Sequence, residues 1–328
     1  MAGTAALVTT GAAVLLAALT PGVSRAAASA AGVPGHAEPQ TDAARYWTPA
    51  RMRQAIPAGP VSLMTPMGQV LRIRRAGPLT LAGPTTSAGR ASAAIPVPGQ
   101  GGTGSSWPDG GPVARATGKV FFTLAGTDYV CSAAAVTSPR ADVVVTAGHC
   151  VSDGAGHWAT NWTFVPGYTD ATAPYGRWTA RRFFTPPQWV NGAAQGDDVA
   201  FVTVSPAPGA TTGALAGDWG LGISFGTHPG QEAVFGYPAE SPYNGQELSY
   251  CEGATHPDPY HATSDSGVAC AMTEGASGGP WLSGFDASSG SGTITSVSSF
   301  KYGDGSPVLY GPPLGPEAAV LYRQAEHA

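Results

Sequence analysis

Three short motifs hold residue types that could together carry out covalent hydrolysis. In chain order they are Thr-Ala-Gly-His-Cys at 146–150, Asp-Asp-Val-Ala-Phe at 197–201 and Gly-Ala-Ser-Gly-Gly-Pro at 275–280. A serine hydroxyl is a weak nucleophile at neutral pH, so it needs a neutral imidazole to take its proton and a carboxylate to orient that imidazole. Glycines beside the serine let backbone N–H groups approach a developing oxyanion. The motifs therefore predict a hydrolase with a serine nucleophile.

The order His, Asp, Ser and the residues around each member resemble the chymotrypsin-like (trypsin-like) serine endopeptidases, particularly the secreted bacterial branch that includes the glutamyl endopeptidases. The resemblance covers about residues 113–328 and includes Cys131 and Cys150, which bracket the histidine motif. It implies an all-β fold of two packed antiparallel β-barrels with a short C-terminal helix. It also implies an active site between the barrels, polypeptide substrates and no cofactor.

The resemblance assigns a role to each motif. It implies that His149 is the general base, that Asp198 orients it, that Ser277 is the nucleophile, and that the N–H groups of Gly275 and Ser277 form the oxyanion hole. Asp198 is preferred to its neighbour Asp197 because the family places the acid directly before an apolar residue and an alanine.

Two other readings compete with this one. The Gly-x-Ser-x-Gly pattern around Ser277 also matches the nucleophile elbow of α/β-hydrolases, which need the order Ser, acid, His. The only histidine after Ser277 is His327, and Pro280 is poorly placed for the helix that follows an elbow. A non-catalytic binding or adhesion protein that retains the protease fold stays open, because a fold alone does not establish an activity.

Residues before the serine bear on which peptide bond would be cut. Family members that cleave after Lys or Arg have an aspartate six residues before the serine, where this chain has Ala271 followed by Met272. We expect a substrate-binding pocket walled by Ala271, Met272 and Val297 that accepts an uncharged side chain, with Glu274 and Lys301 at its rim.

The strand expected at 293–300 is where family members pair with the substrate backbone. We expect Ser298 to lie at the substrate-binding site and to hydrogen bond to Asp198, with Ser296 and Ser299 as alternatives. The glutamyl branch has a histidine just ahead of this point, and its absence here argues against strict cleavage after glutamate.

Charge divides the chain into two parts. Residues 1–111 carry eight arginines against three carboxylates, a net charge of +5, whereas residues 112–328 have a net charge of −10. The apolar run at 5–20 and the Ala-Ser-Ala site at 28–30 predict a signal peptide over 1–30, although its basic start is missing and an uncleaved anchor is the alternative.

Residues 31–111 are rich in Pro, Gly and Ala, and we expect a pro-region or linker with little core, followed by the protease domain at 112–328. Ala276 occupies the position where many animal members have the aspartate that pairs with a new amino terminus on activation. Any zymogen latency is therefore expected from the basic segment, as a folding aid or inhibitor.

Four cysteines lie in the acidic part: Cys131, Cys150, Cys251 and Cys270. An even number in an exported protein predicts two disulfides, and four cysteines allow three pairings. The resemblance favours 131–150 with 251–270, and no C-x2-C spacing supports zinc.

Composition and spacing exclude several function classes. With 11% charged residues, a net charge of −5 and two lysines, the chain lacks the basic footprint of a nucleic-acid-binding protein. The histidines His228, His256 and His261 lack metal-ligand spacing, so we predict no metal. We expect a secreted monomer with no stable membrane association after removal of the leader.

Short β-branched and aromatic runs separated by Gly, Pro and Asn predict a sandwich or barrel from residue 113 onward. A helix is predicted only at 316–325, where a proline lies in the first turn. The predicted strands lie near 119–124, 129–136, 142–146, 162–166, 177–184, 198–204, 232–236, 246–251, 280–284, 293–300 and 308–311.

Overall fold

The computed structural model describes most of the acidic part of the chain and pieces of the basic part. The described residues are 1, 3, 35–38, 42–58, 103–208, 215, 220–227, 230–303 and 305–328. The predicted signal peptide lies outside them apart from Met1 and Gly3, as does His228.

The elements follow the predicted pattern of many short strands. The strands are β1 (His36–Ala37), β2 (Ile56–Pro57), β3 (Ser105–Ser106), β4 (Thr117–Leu124), β5 (Thr127–Val136), β6 (Val143–Thr146), β7 (Thr160–Pro166), β8 (Trp178–Phe184), β9 (Ala200–Pro206), β10 (Gly222–Ile223), β11 (Gln231–Gly236), β12 (Ser249–Ala254), β13 (His256–Pro257), β14 (Ser266–Ala269), β15 (Pro280–Asp286), β16 (Ser291–Val297) and β17 (Val308–Gly311). The helices are α1 (Ala43–Tyr46), α2 (Pro49–Gln54), α3 (Gly111–Ala116), α4 (Pro187–Gly192) and α5 (Pro316–Glu326), with single 3₁₀ turns at Gly148–Cys150 and Gln195–Asp197.

Strands β4 to β9 form a closed six-stranded antiparallel barrel in the order β4-β5-β6-β9-β8-β7, and β7 pairs back with β4. Closure leaves these strands without a free edge. The interior is filled by fully buried side chains such as Val120, Val144, Phe164 and Phe201. This half carries the histidine motif and the aspartate motif.

The second half contains a six-stranded sheet, β10-β16-β15-β11-β12-β3, and a three-stranded sheet, β13-β14-β17. The Cys251–Cys270 disulfide joins the two sheets, and Cys131–Cys150 lies in the first barrel. Both predicted pairings are confirmed. The all-β fold with a C-terminal helix is confirmed too, with the second half built from two sheets.

Helix α5 begins with a proline in its first turn, as predicted, and returns the chain to the first barrel. Ala318, Leu321 and Ala325 are buried on one face, and the ring of Tyr322 packs edge-on against Phe201 of β9. No helix in the described ranges has the length and apolar character needed to span a bilayer.

The basic part of the chain contributes more to the core than its sequence predicts. Trp47, Met52 and Trp107 are buried with the main core, and β3 pairs with β12 of the second half. The expectation of little core before residue 112 is therefore wrong, because a few large side chains anchor stretches that lack any periodic pattern. The expectation of a single helix is also wrong: α1 to α4 are each six residues or fewer, too short to show a helical period in the sequence.

Candidate active site

The histidine motif lies at the end of β6 and the aspartate motif at the start of β9. The two motifs meet because these strands are neighbours in the barrel. Thr146 of β6 pairs with Ala200 of β9, which places the residues just after β6 beside those just before β9. Oδ1 of Asp198 accepts a hydrogen bond from the His149 backbone N–H at 2.8 Å, and Oδ2 lies 2.7 Å from Nδ1 of the same residue. Asp198 is fully buried, whereas Asp197 is half-buried in the preceding turn.

Asp198 receives a further hydrogen bond from the second half. The hydroxyl of Ser299 donates to Oδ2 of Asp198 at 2.6 Å. Ser298, the residue expected in this role, instead accepts a hydrogen bond from the indole N–H of Trp281 at 3.1 Å, and Ser296 donates to a backbone carbonyl. Ser298 and Ser299 follow the end of β16, where strand alternation no longer determines which of the two faces Asp198.

The serine loop is held against the histidine motif by close backbone contacts. Gly278 has φ +77°, and a Cβ there would collide with Thr146 Oγ1 and lie 2.5 Å from the Ser132 carbonyl oxygen. Ser132 of β5 also donates its N–H to the Ser277 carbonyl at 2.7 Å and its hydroxyl to the Gly275 carbonyl at 2.8 Å. Only glycine at 278 permits this approach.

Ser277 and Gly275 share one hydrogen-bond partner, the carbonyl oxygen of Ala58. The Ser277 hydroxyl donates to it at 3.3 Å, and the Gly275 N–H donates to it at 3.3 Å. Nε2 of His149 is buried and has no hydrogen-bond partner among the described residues. The structure thus brings the candidate nucleophile, one candidate oxyanion donor and a peptide carbonyl together, without a bond between Ser277 and His149.

Solved structures share this arrangement of elements over about two-thirds of the chain. The protease Anisep from Arthrobacter nicotinovorans is 40% identical, with 65% of this chain and 96% of that chain covered and a TM-score of 0.60. The thermostable serine protease AL20 from an extremophilic microorganism is 36% identical, with 66% and 99% covered and a TM-score of 0.61. The chain belongs to the chymotrypsin-like serine proteases.

Other comparisons add less about this serine protease. No protein-family model matches the chain. A Glu endopeptidase shares the fold at 19% identity, with 70% of this chain and 99% of that chain covered and a TM-score of 0.53. An extracellular metalloprotease of Bacillus subtilis (strain 168) is 32% identical over 72 residues, which are 22% of this chain and 23% of that relative. The chain therefore matches about a quarter of that relative's length.

The described part of this serine protease has one cluster of three potential metal-ligating side chains. It consists of Cys131, His149 and Cys150, whose ligand atoms lie within 4.8 Å of one another. Both sulfur atoms are joined in a disulfide, so the cluster offers a single imidazole nitrogen. The donor set does not fit a metal ion.

The residues expected to wall the protease's substrate pocket are only partly available to a substrate. Met272 and Val297 are fully buried, and the backbone at Gly104 covers Met272, since a Cβ there would lie 2.9 Å from Met272 Cγ. Ala271 alone of the three reaches a cavity, of about 320 Å³, which Tyr243 also lines. The prediction of a pocket walled by Met272 and Val297 is therefore corrected.

Glu274 and Lys301, the residues expected at the rim of the pocket, do not line this cavity, but the pKa values of both are shifted. Burial, and secondarily repulsion from Glu240, raises the pKa of Glu274 to about 7, while the nearby His149 opposes the rise. Burial lowers the pKa of Lys301 to about 8, and its Nζ donates to the Cys270 carbonyl at 2.9 Å. Burial is the main cause of both shifts, because it disfavours the charged form of each group.

Sequence reasoning missed two participants in the site, Ser132 and Ala58. Ser132 directly follows Cys131, so the disulfide next to it was an available signal that β5 approaches the site. Ala58 carries no local signal, because a small apolar residue in a Pro- and Ala-rich stretch is ordinary.

Proposed function

We propose that the chain is a secreted serine endopeptidase that hydrolyses polypeptide substrates through an acyl-enzyme intermediate. The observation that carries this proposal is the pair of contacts that Asp198 makes with His149, which leave Nε2 as the imidazole nitrogen without a hydrogen-bond partner among the described residues. An imidazole fixed by a buried carboxylate is positioned to act as a general base.

The proposed reaction uses side chains and backbone groups of this chain, the peptide substrate and one water molecule. The Ser277 oxygen attacks the carbonyl carbon of the scissile peptide while Nε2 of His149 takes its proton, and Asp198 stabilises the resulting imidazolium. The N–H groups of Gly275 and Ser277 stabilise the oxyanion. His149 then donates the proton to the leaving amine as the peptide C–N bond breaks and the acyl-enzyme forms. Water, deprotonated by His149, attacks the ester of the acyl-enzyme, and the carboxylic acid is released as Ser277 regains its proton.

Ser299 and the two disulfides support particular parts of this proposal. Ser299 and the His149 N–H both donate to Asp198, and hydrogen bonds to the ionised form hold that carboxylate in place. Two disulfides are typical of proteins that leave the reducing cytosol. Ala271 offers no charge for a basic substrate side chain, which supports a preference for uncharged residues at the scissile bond.

An irreversible active-site probe tests the function. We expect a fluorophosphonate to add one equivalent to the full chain, mapped to Ser277 by peptide mass, and to leave Ser277→Ala unlabelled. Ser289→Ala, a change of an exposed serine, is the matched control and labels like wild type. The label accumulates even when the site is open for a small fraction of the time. A folded chain that acquires no label after long incubation would refute the proposal in favour of a binding protein.

A further inference from the structure

The chain places one of its own peptide groups across the site. Ala58 is buried, its carbonyl accepts from Gly275 and Ser277, and its N–H donates to the Val130 carbonyl of β5 at 2.8 Å. Both polar groups of this one residue are therefore satisfied by the protease domain. A peptide carbonyl that binds an oxyanion donor is the recognition expected of a substrate or an inhibitor.

The residues before Ala58 follow the surface of the first barrel. We call residues 35–38 and 42–58 the docked segment. Its strand β2 pairs in parallel with Tyr129 and Val130 of β5, and its strand β1 pairs with β8. Trp47, 1% exposed, donates its indole N–H to the Asn161 carbonyl at 2.5 Å. These contacts cover the barrel at several separate points.

Charge complements the packing. Arg51 of the docked segment lies 3.0 Å from Asp128 of β5, and the Tyr46 hydroxyl donates to the same carboxylate at 2.8 Å. The Arg51 guanidinium also stacks 4.0 Å from the centre of the Tyr46 ring. The net positive charge of the first third of the chain thus has a specific acidic partner on the domain.

The hydrogen bonds at Ser277 distinguish whether the docked segment is bound as an inhibitor or as a substrate. Attack requires the serine proton to pass to His149, but this proton is donated to the Ala58 carbonyl and Nε2 of His149 has no partner among the described residues. We propose that the docked segment is a built-in inhibitor that holds the Ala58 carbonyl on the oxyanion donors without being cut. This inference rests on the proposed function and names its regulation.

The test compares variants of the full chain by their rate of fluorophosphonate labelling. Arg51→Glu places two carboxylates together and should speed labelling by about tenfold, because the reactive fraction rises as docking weakens. Arg53→Glu, the same change at an exposed position on the same helix, is the matched control and should label like wild type. Trp47→Ala should speed labelling further, and adding Asp128→Arg to Arg51→Glu should slow it again.

Hydrogen exchange of the same proteins reports docking independently of chemistry. We expect peptides that cover 129–131 and 273–277 to be protected in wild type and in Arg53→Glu and to exchange faster in Arg51→Glu. Intact mass should show no Ser277-dependent cut after Ala58. Because Trp47→Ala could weaken the barrel itself, Arg51→Glu carries the conclusion.

The outcomes separate the two proposals. Equal labelling of wild type, Arg51→Glu and Trp47→Ala, or a Ser277-dependent cut after Ala58, would overturn the inhibitor and leave the hydrolase standing. Faster exchange in Arg51→Glu with no label on any variant would refute the hydrolase, and the inhibitor would fall with it.

Discussion

The two sides of the active site differ in where their hydrogen-bond partners come from. On the histidine side, the contacts of His149 and Asp198 are made within residues 112–328, including the bond from Ser299. On the serine side, the Ser277 hydroxyl is bonded to Ala58, which belongs to the basic part of the chain. The contacts of His149 and Asp198 therefore do not depend on the basic part of the chain, whereas the contact of the Ser277 hydroxyl does.

The largest change should come from the histidine side. Asp198→Asn removes the carboxylate that fixes the tautomer of His149, and we expect the fluorophosphonate labelling rate to fall about 10⁴-fold with the fold retained. Asp197→Asn, a matched change at the half-buried neighbour, should leave the rate within a few-fold of wild type. If Asp197→Asn were the damaging variant, the assignment of the two sides would be wrong.

Gly278→Ala tests how tightly the two sides are joined. The change adds a Cβ at φ +77° that meets Thr146 and Ser132, and we expect the free energy of unfolding in urea to fall by about 3 to 4 kcal/mol. Gly126→Ala is the matched control, since that residue has φ +81° with no atom within 4 Å of an added Cβ. It should cost about 1 kcal/mol, and equal costs would contradict the close contact.

Glu38→Gln probes the docked segment through pH. Burial raises the pKa of Glu38 to about 8, and Oε1 accepts the Trp162 N–H at 2.9 Å. Because the folded pKa lies above the unfolded value near 4.5, stability present at low pH is lost as pH rises toward 8.

We expect the opening free energy of the docked segment, measured by hydrogen exchange, to fall by about 3 kcal/mol between pH 5.5 and 8, and Glu38→Gln to flatten this dependence. Glu247→Gln, a change of an exposed carboxylate on the second half, should keep the wild-type slope. If the opening free energy of Glu38→Gln still fell with rising pH, another titratable group would be responsible for the pH dependence.

The smallest effect is expected for Ser299→Ala. Loss of one charge-assisted hydrogen bond to Asp198 should lower the labelling rate about tenfold. Ser299→Thr keeps the hydroxyl and should recover part of the rate, whereas Ser298→Ala should not slow labelling by as much. A larger loss in Ser298→Ala than in Ser299→Ala would place the polar contact on the other serine.

Much of the fold was predictable because short-range patterns determine it. The strand predicted at 308–311 coincides with Val308–Gly311, and the helix predicted from Pro316 ends within a residue of the observed end. Elements of two residues such as β1 and β2 were missed, because each exists only through pairing with a distant strand of the barrel.

The parts of the site that lie in sequence motifs could be predicted. The parts that are brought to the site only by tertiary contacts could not. The family resemblance predicts a contact of His149 with Asp198 and not with Asp197, and the structure places Oδ2 of Asp198 2.7 Å from Nδ1 of His149. Ser299 was confused with Ser298 because β16 ends at Val297 and the strand alternation could not be extended past it. Ala58 acts through its backbone, which every residue type possesses.

Because Ala58 is covalently linked to the domain, its occupancy of the site does not depend on protein concentration. While residues 59–102 connect the docked segment to the domain, its local concentration at the site is set by the connection and not by the amount of protein in solution. A single cut anywhere in that connection would turn the segment into a separate ligand, whose occupancy falls as the protein spreads into a larger volume. Latency would then be a property of a concentrated environment, and release of the active form would follow from the transfer of the cut chain to a dilute one.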